Sequence, residues 1–330
     1  MPAFLFLRRL LGDSLSLYWD LVKIMVPVMV AVKVAVDLGV IEALTRAFGP
    51  LMGLVGLPQE MGLVWATAAL VNIYGGAAAL IGVLPETPLT VAQATVLLSM
   101  ILAAHSLPVE QRVCQKAGAG VVFTTVLRLA AALAYGAILN AIYSGLDILQ
   151  QPVSIAWLPS TAPDAGWREW TVNSLTTLAT IFVIIVALLA VLRLMEASGL
   201  TAFLTRALAP VLRAMGIGPQ ATPLAMVGVL LGLSYGGGLI IREARTGALP
   251  PREIFLAVCF MAICHSMIED TLFIMALGGH WSGVLVGRLV FSLLVMAVLA
   301  RIVHALPDAV FERWLYRSPA PSGPLVKAEG

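Results

Sequence analysis

Read only for apolar and polar positions, the chain is a series of long hydrocarbon runs broken at a few short places. Crossing the hydrocarbon layer takes about 20 consecutive apolar residues as a helix. Runs of that order cover Trp19–Val40, Ala119–Tyr143, Ser174–Glu196 and Ser282–His304. Two segments alternate at a helical period and predict amphipathic helices, Ile41–Val55 and Leu200–Met215. Two further apolar stretches are cut by glycine, at Tyr74-Gly75-Gly76 and Tyr235-Gly236-Gly237-Gly238, and two helices end in His-Ser, Thr90–Ser106 and Glu253–Ser266.

The order of these elements repeats. "LTRAFGPLMGLVG" from Leu44 answers "LTRALAPVLRAMG" from Leu204, an offset of 160. His105-Ser106 answers His265-Ser266, and Arg128 answers Arg288, at the same offset. The two tyrosines before the glycines are 161 apart, and their alignment makes the glycine breaks equivalent. An ordered set of landmarks predicts a duplication. The predicted fold is an all-α membrane protein of two inverted repeats, each with about three transmembrane helices, a Gly-broken re-entrant hairpin and an amphipathic helix. The boundaries are an N-terminal amphipathic lead-in at 1–18, repeat 1 at 19–143, an extracytoplasmic linker at 144–173, repeat 2 at 174–304 and a cytoplasmic tail at 305–330.

The inversion follows from charge. Cytoplasmic loops are enriched in lysine and arginine. If each glycine stretch turns back rather than crossing, only Arg46 and Arg168 face outward, and the other loop cations, from Arg8 through Arg112 and Arg242 to Lys327, lie inside. If it crosses, Arg46, Arg112, Lys116, Arg206 and Arg213 all fall outside. Three crossings per repeat put the second copy upside down, with both termini cytoplasmic and the chain in a bacterial inner membrane. Inverted repeats with broken helices place transporter sites near the midplane.

Composition fits that class. The chain is 60% hydrophobic and 12% charged, against about 25% charged in soluble domains, with a mean hydropathy of +0.97. A net charge of +2 with scattered cations argues against nucleic acid as a partner. Three cysteines without CxxC spacing read as small core residues. No G-x-x-x-x-G-K-[ST] loop is present, so energy must come from a gradient, a partner or the substrate itself.

Candidate chemistry sits in the breaks. Freed backbone groups inside a bilayer survive only where protein, water or a ligand satisfies them, which makes Asn72, Tyr74, Gly75, Gly76, Ser234, Tyr235, Gly236, Gly237 and Gly238 candidate binding positions. The segment "CHSMIEDTLF" adds His265, Ser266, Glu269, Asp270 and Thr271, and its counterpart "HSLPVEQ" adds His105, Ser106 and Glu110. Ionisable residues within a membrane are functional candidates by default. If helix continues, His265 and Glu269 share a face; they are the candidate coupling-proton carriers and, if a metal is held, its candidate ligands. The plainer reading is a buried ion pair of these carboxylates with Arg128 or Arg288. Val109 and Pro108 stand where Glu269 and its predecessor stand in the second half, so the halves are not equivalent.

At these residues the chain resembles the Gate, or nucleoside-recognition, family of polytopic bacterial membrane proteins. The resemblance rests on the Tyr-Gly-Gly break and on His-Ser-x-x-Glu-Asp-Thr at His265–Thr271. It is clearest from Leu200 to Arg301 and weaker from Leu44 to Arg128. Related segments occur in concentrative nucleoside transporters and in the membrane part of the ferrous-iron transport protein B. The resemblance implies a transport-type core. The leading expectation is therefore a non-enzymatic secondary transporter or channel for a small polar solute or cation, without a cofactor. A scaffold working with a second membrane subunit or as a homo-oligomer, and a membrane-embedded hydrolase, are the other readings.

Overall fold

A computed structural model describes residues 3–38, 41–159, 166–247 and 249–319. The expected tail and linker therefore lie partly outside the described residues. In chain order the first series is α1 (Ala3–Asp37), α2 (Ile41–Leu54), α3 (Met61–Leu70), α4 (Ile73–Val83), α5 (Val91–Ala103), α6 (Leu107–Lys116) and α7 (Val121–Gly145). The second is α8 (Trp167–Ala197), α9 (Leu200–Ala214), α10 (Ala221–Leu231), α11 (Leu233–Thr246), α12 (Pro251–Ile263) and α13 (Glu269–Ala276), followed by a π turn (Ser282–Gly287) that runs into α14 (Arg288–Ala305). A short α15 (Asp308–Trp314) follows. The protein is all-α, as the apolar patterning predicts.

The duplication recurs in local geometry at an offset of 160. Helices start at Ile73 and Leu233, at Val91 and Pro251, and at Ile41 and nearby Leu200. Left-handed backbone occurs at Gly56 (φ 69°) and Gly216 (φ 78°), and at Ser106 (φ 50°) and Ser266 (φ 48°). The same bends are thus specified twice.

Among the described residues, four segments are long and apolar enough to cross a membrane: Val91–Lys116, Val121–Gly145, Trp167–Met195 and Ser282–Ala305. Helix α1 is 35 residues long, and the expected surface lead-in continues into it without a break. Its two lysines pair along the helix, Lys23 with Asp20 at 2.7 Å and Lys33 with Asp37 at 2.7 Å. By contrast α3 and α4 have 10 and 11 residues, about 15 Å each at 1.5 Å per residue. They pack side by side, and a Cβ on Gly76 would lie 2.5 Å from the Cβ of Ala68. The glycine break is therefore a tight helical hairpin, not a bend in one long helix.

The chain forms two compact units. One holds Met1–Leu107, Ala132–Gly199 and Ile268–Arg288; the other holds Pro108–Ala131, Leu200–Met267 and Leu289–Gly330. These units do not follow the sequential repeats. Each is founded on the hairpin and His-Ser helix of one repeat and takes the segment after the break from the other.

In the first unit α1, α4 and α8 bury Leu21, Met25, Met29, Ala78, Leu178, Ile181 and Ile185 together. Burial of each such side chain is worth about 1.5–3 kcal/mol. In the second unit Phe255 packs edge-on against Phe311, which stacks on Tyr316. Arg252 donates to the carbonyls of Val303 and Leu306, the latter at 2.6 Å, and to Asp308 at 2.7 Å. It thereby satisfies the carbonyls that the end of α14 leaves open.

Candidate functional site

The site begins with the way two helices end. Helix α5 starts on a capping box, with Thr90 and Gln93 bonded reciprocally, and stops at Ala104 (φ −142°, ψ 82°). Helix α12 stops at Cys264 in nearly the same conformation (φ −145°, ψ 68°). The next residue in each case is a histidine whose Nδ1 turns back to the helix: His105 to the Ile101 carbonyl and His265 to the Met261 carbonyl, both at 2.9 Å. A carbonyl only accepts, so Nδ1 carries the hydrogen, and Nε2 is the nitrogen turned away from the helix end.

The serine after each histidine is left-handed, a conformation costing an L-residue about 1–2 kcal/mol. It points the backbone N–H at the hairpin of the same unit. Ser106 N–H donates to the Ala68 carbonyl at 3.0 Å in the first unit; Ser266 N–H reaches Gly228 at 3.5 Å and Met267 N–H reaches Val229 at 2.8 Å in the second. The two breaks thus satisfy one another's backbone, which is how irregular chain is tolerated at membrane depth.

Each Nε2 faces a carboxylate from the other repeat. In the first unit His105 lies 3.6 Å from Asp270. In the second His265 lies 3.1 Å from Glu110, which also pairs with the fully buried Arg128. Both histidines, Asp270 and both arginines are buried. Arg288 donates to the Leu102 carbonyl at 3.4 Å. Glu269 accepts from the Tyr74 hydroxyl at 3.3 Å, and the Tyr74 ring packs tilted against Phe273 with centroids 4.7 Å apart. Thr271 is buried with no hydrogen-bond partner for its hydroxyl.

Several expectations change. Helix does not continue from His265 to Glu269, because Ser266 is left-handed and α13 begins only at Glu269. The two residues fall in different units rather than on one helix face. The tyrosines are not equivalent either. Gly76 meets Ala68 and Gly236 meets Gly228, so the structural register is 160, and the counterpart of Tyr74 is Ser234. The side chains of Ser234 and Tyr235 lie outside the described residues.

The glycines divide by role. A Cβ on Gly236 would lie 2.3 Å from the Gly228 Cα, and one on Gly237 would lie 2.3 Å from Val113, so both are packing glycines. Gly75 is in the first turn of α4, where its N–H is bonded by the Asn72 cap at 2.8 Å. Gly238 meets nothing within 4 Å.

The sequence reading missed three features. Gln111, at the offset equivalent of Thr271, accepts from Thr124 at 2.5 Å and leaves its buried Nε2 without a partner. The π turn sets Tyr135 on the Gly283 carbonyl at 2.6 Å and Tyr143 on Ser282 at 2.8 Å. The offset of 160 could have flagged Gln111, but no sequence signal marks the π turn.

The profile of the Gate family, described as nucleoside recognition, matches residues 18–119 and 178–281. The chain belongs to the Gate family. The two Gate matches begin 160 residues apart (178 − 18), which is the offset of the histidines. A Bacillus subtilis (strain 168) relative, the uncharacterized membrane protein YvoD, is 27% identical over 285 residues, 85% of this chain and 89% of its own length. No solved structure matches the chain. This Gate protein is a membrane protein whose apolar helices contact the lipid bilayer.

Proposed function

We propose that the protein is a secondary transporter or channel for a small polar solute of the nucleoside type or for a cation. The observation that carries this reading is the pair of histidine–carboxylate contacts, each made from both repeats at the breaks that follow apolar helices, with both histidines and Asp270 buried. Placing ionisable groups there costs at least about 2.5–3.5 kcal/mol apiece at the bilayer centre, a cost that pure packing would not incur twice at matching positions. The family's description, nucleoside recognition, supports the polar-solute class.

In this reading α1, the α5–α6 segment and α7 cross the membrane, and the α3–α4 hairpin enters and returns on one side. Three crossings make the second repeat inverted. The termini then face the cytoplasm across a bacterial inner membrane. With no phosphate-binding loop, an ion gradient or the solute's own gradient drives movement.

The test is flux into proteoliposomes holding the purified full chain, with a panel of labelled nucleosides and divalent cations. The expected result is saturable uptake of one class, lost in Asp270→Asn with folding retained. Absence of flux for every member, together with a co-purified membrane subunit, would instead establish the scaffold reading.

A further inference from the structure

The geometry points to a docking site for one anionic phospholipid in the trough between α9 and α14 of the second unit. The site is separate from the histidine–carboxylate pairs and does not depend on the transport reading.

Along α14, Val290, Leu294, Ala297, Arg301 and His304 recur every three or four residues and so share one face of the helix. That face lines a trough of about 870 Å³, whose other wall is the end of α9 at Val211 and Met215. The volume falls among those of ligand sites, about 300–1,000 Å³. Helix α9 packs on α10, and Val290 and Leu294 stay exposed. The small side chain of Ala297 leaves room between them and the charged end.

The trough is apolar over most of its length and basic at one end. Arg301 and His304 occupy the last turns of α14. A glycine makes room for the imidazole: a Cβ on the left-handed Gly216, just past α9, would lie 2.2 Å from His304 Nε2. Among the described residues, neither Arg301 nor His304 has a hydrogen-bond or ion-pair partner. Helices α9 and α14 carry no aspartate or glutamate, and α9 adds the exposed Arg206 and Arg213. Of the carboxylates on the elements beside this end, Glu253 accepts from the Gly218 N–H at 3.1 Å and Asp308 from Arg252 at 2.7 Å. Glu312 lines a different hollow, beside Tyr316. The counter-ion for Arg301 therefore comes from outside the chain, and a phosphate suits it, since arginine binds phosphate through paired N–H···O bonds.

Dimensions select a lipid over a free anion. Val290 and Arg301 are 11 residues apart, about 16 Å along the helix axis, and the hydrocarbon layer of one leaflet is about 15 Å. The segment Ser282–Ala305 is long and apolar enough to cross the membrane. With Arg301 at headgroup level, the trough spans one leaflet. Trp314, exposed on the following α15 with Arg313 5.3 Å over its ring, has the amphipathic character of the membrane interface. A phospholipid sets its phosphate on Arg301 and His304 and one acyl chain along Ala297, Leu294 and Val290; a free phosphate uses the basic end alone. The excess of arginine there favours a headgroup with net negative charge.

The test is native mass spectrometry of the full chain from detergent, titrated with phosphatidylglycerol and separately with phosphatidylcholine of the same acyl chains. One phosphatidylglycerol should bind saturably per chain, and phosphatidylcholine at least about fivefold more weakly. Arg301→Gln with His304→Gln should weaken phosphatidylglycerol binding at least about tenfold, the scale of a charge-assisted hydrogen bond. Ala297→Phe, which fills the trough below an intact basic end, should weaken it as well, whereas Arg206→Gln, outside the trough, should not. Arg301→Lys keeps the charge with little change of shape and should retain most of the binding. Equal binding of the two lipids, or phosphatidylglycerol binding that survives both trough variants, overturns the proposal. Glycerol 3-phosphate binding as tightly as phosphatidylglycerol does so too, because the apolar wall would then contribute nothing. A dimer that Ala297→Phe splits into monomers would show a second copy of the chain covering the trough in place of lipid.

Discussion

His105 of the first repeat lies 3.6 Å from Asp270 of the second, while His265 of the second lies 3.1 Å from Glu110 of the first. Both pairs preserve the offset of 160, and each is complete within one compact unit. The duplication therefore extends to these contacts: neither repeat carries a finished histidine–carboxylate pair of its own. The two differ in what surrounds the acid: Glu110 pairs with Arg128, and Asp270 lies beside Glu269 at the start of α13.

Arg128 is fully buried against the partly buried Glu110, so removing one partner leaves an uncompensated charge. Arg128→Met should destabilise the protein by about 3–5 kcal/mol, and Glu110→Gln with Arg128→Met together should recover much of that loss. Reversible unfolding in mixed micelles measures Arg128→Met, Glu110→Gln and the double variant. Equal losses for the single and double variants would show that the pair is not coupled.

Ser106 and Ser266 adopt left-handed backbone without being glycine. A β-branched residue tolerates that conformation poorly, so Ser106→Val should cost about 1–2 kcal/mol. Ser106→Gly should cost less, because glycine adopts positive φ freely. The same unfolding assay ranks them, and a glycine variant worse than the valine variant would contradict the strained-backbone account.

Much of this fold was legible because membrane helices announce themselves by length and composition, and because the repeat landmarks kept their order. His265 and Asp270 stood out as polar residues in an apolar stretch, and the offset then pointed to His105, Ser106 and Glu110 as their counterparts. Which acid each histidine meets was not legible, since the exchange of segments between units is a matter of packing rather than of spacing. The helix assumed from His265 to Glu269 failed at one residue, Ser266, whose type gives no hint of positive φ. The tyrosine alignment failed because Tyr-Gly-Gly is a short string, whereas the contacts Gly76–Ala68 and Gly236–Gly228 fix the register through close packing.

The glycines should respond unequally to alanine. Gly236→Ala places a Cβ 2.3 Å from backbone at Gly228, and Gly76→Ala places one 2.5 Å from Ala68; each must prise its hairpin apart, at about 1–3 kcal/mol. Gly238 has open space around it, and alanine there should gain about 0.5–1 kcal/mol from helix propensity. Thermal denaturation in one detergent orders the three. A Gly238→Ala variant as unstable as Gly236→Ala would mean that helix context, not hairpin contact, governs these sites.

Topology rests on whether α3 and α4 together carry the chain across the membrane. Each is too short to cross alone, at about 15 Å against a hydrocarbon core of about 30 Å, and side-by-side packing returns the chain to the face it left. Gln59 precedes the hairpin, and Arg112 lies near the far end of the α5–α6 segment; both are exposed. Single cysteines at these two positions, in a chain whose buried Cys114, Cys259 and Cys264 have been replaced, should react with impermeant maleimide from opposite sides of intact cells and inverted vesicles. If α3–α4 crossed, the α5–α6 segment would cross back and both positions would label from the same side. Same-side labelling would therefore remove the hairpin, and with it the third crossing on which the inverted repeat depends.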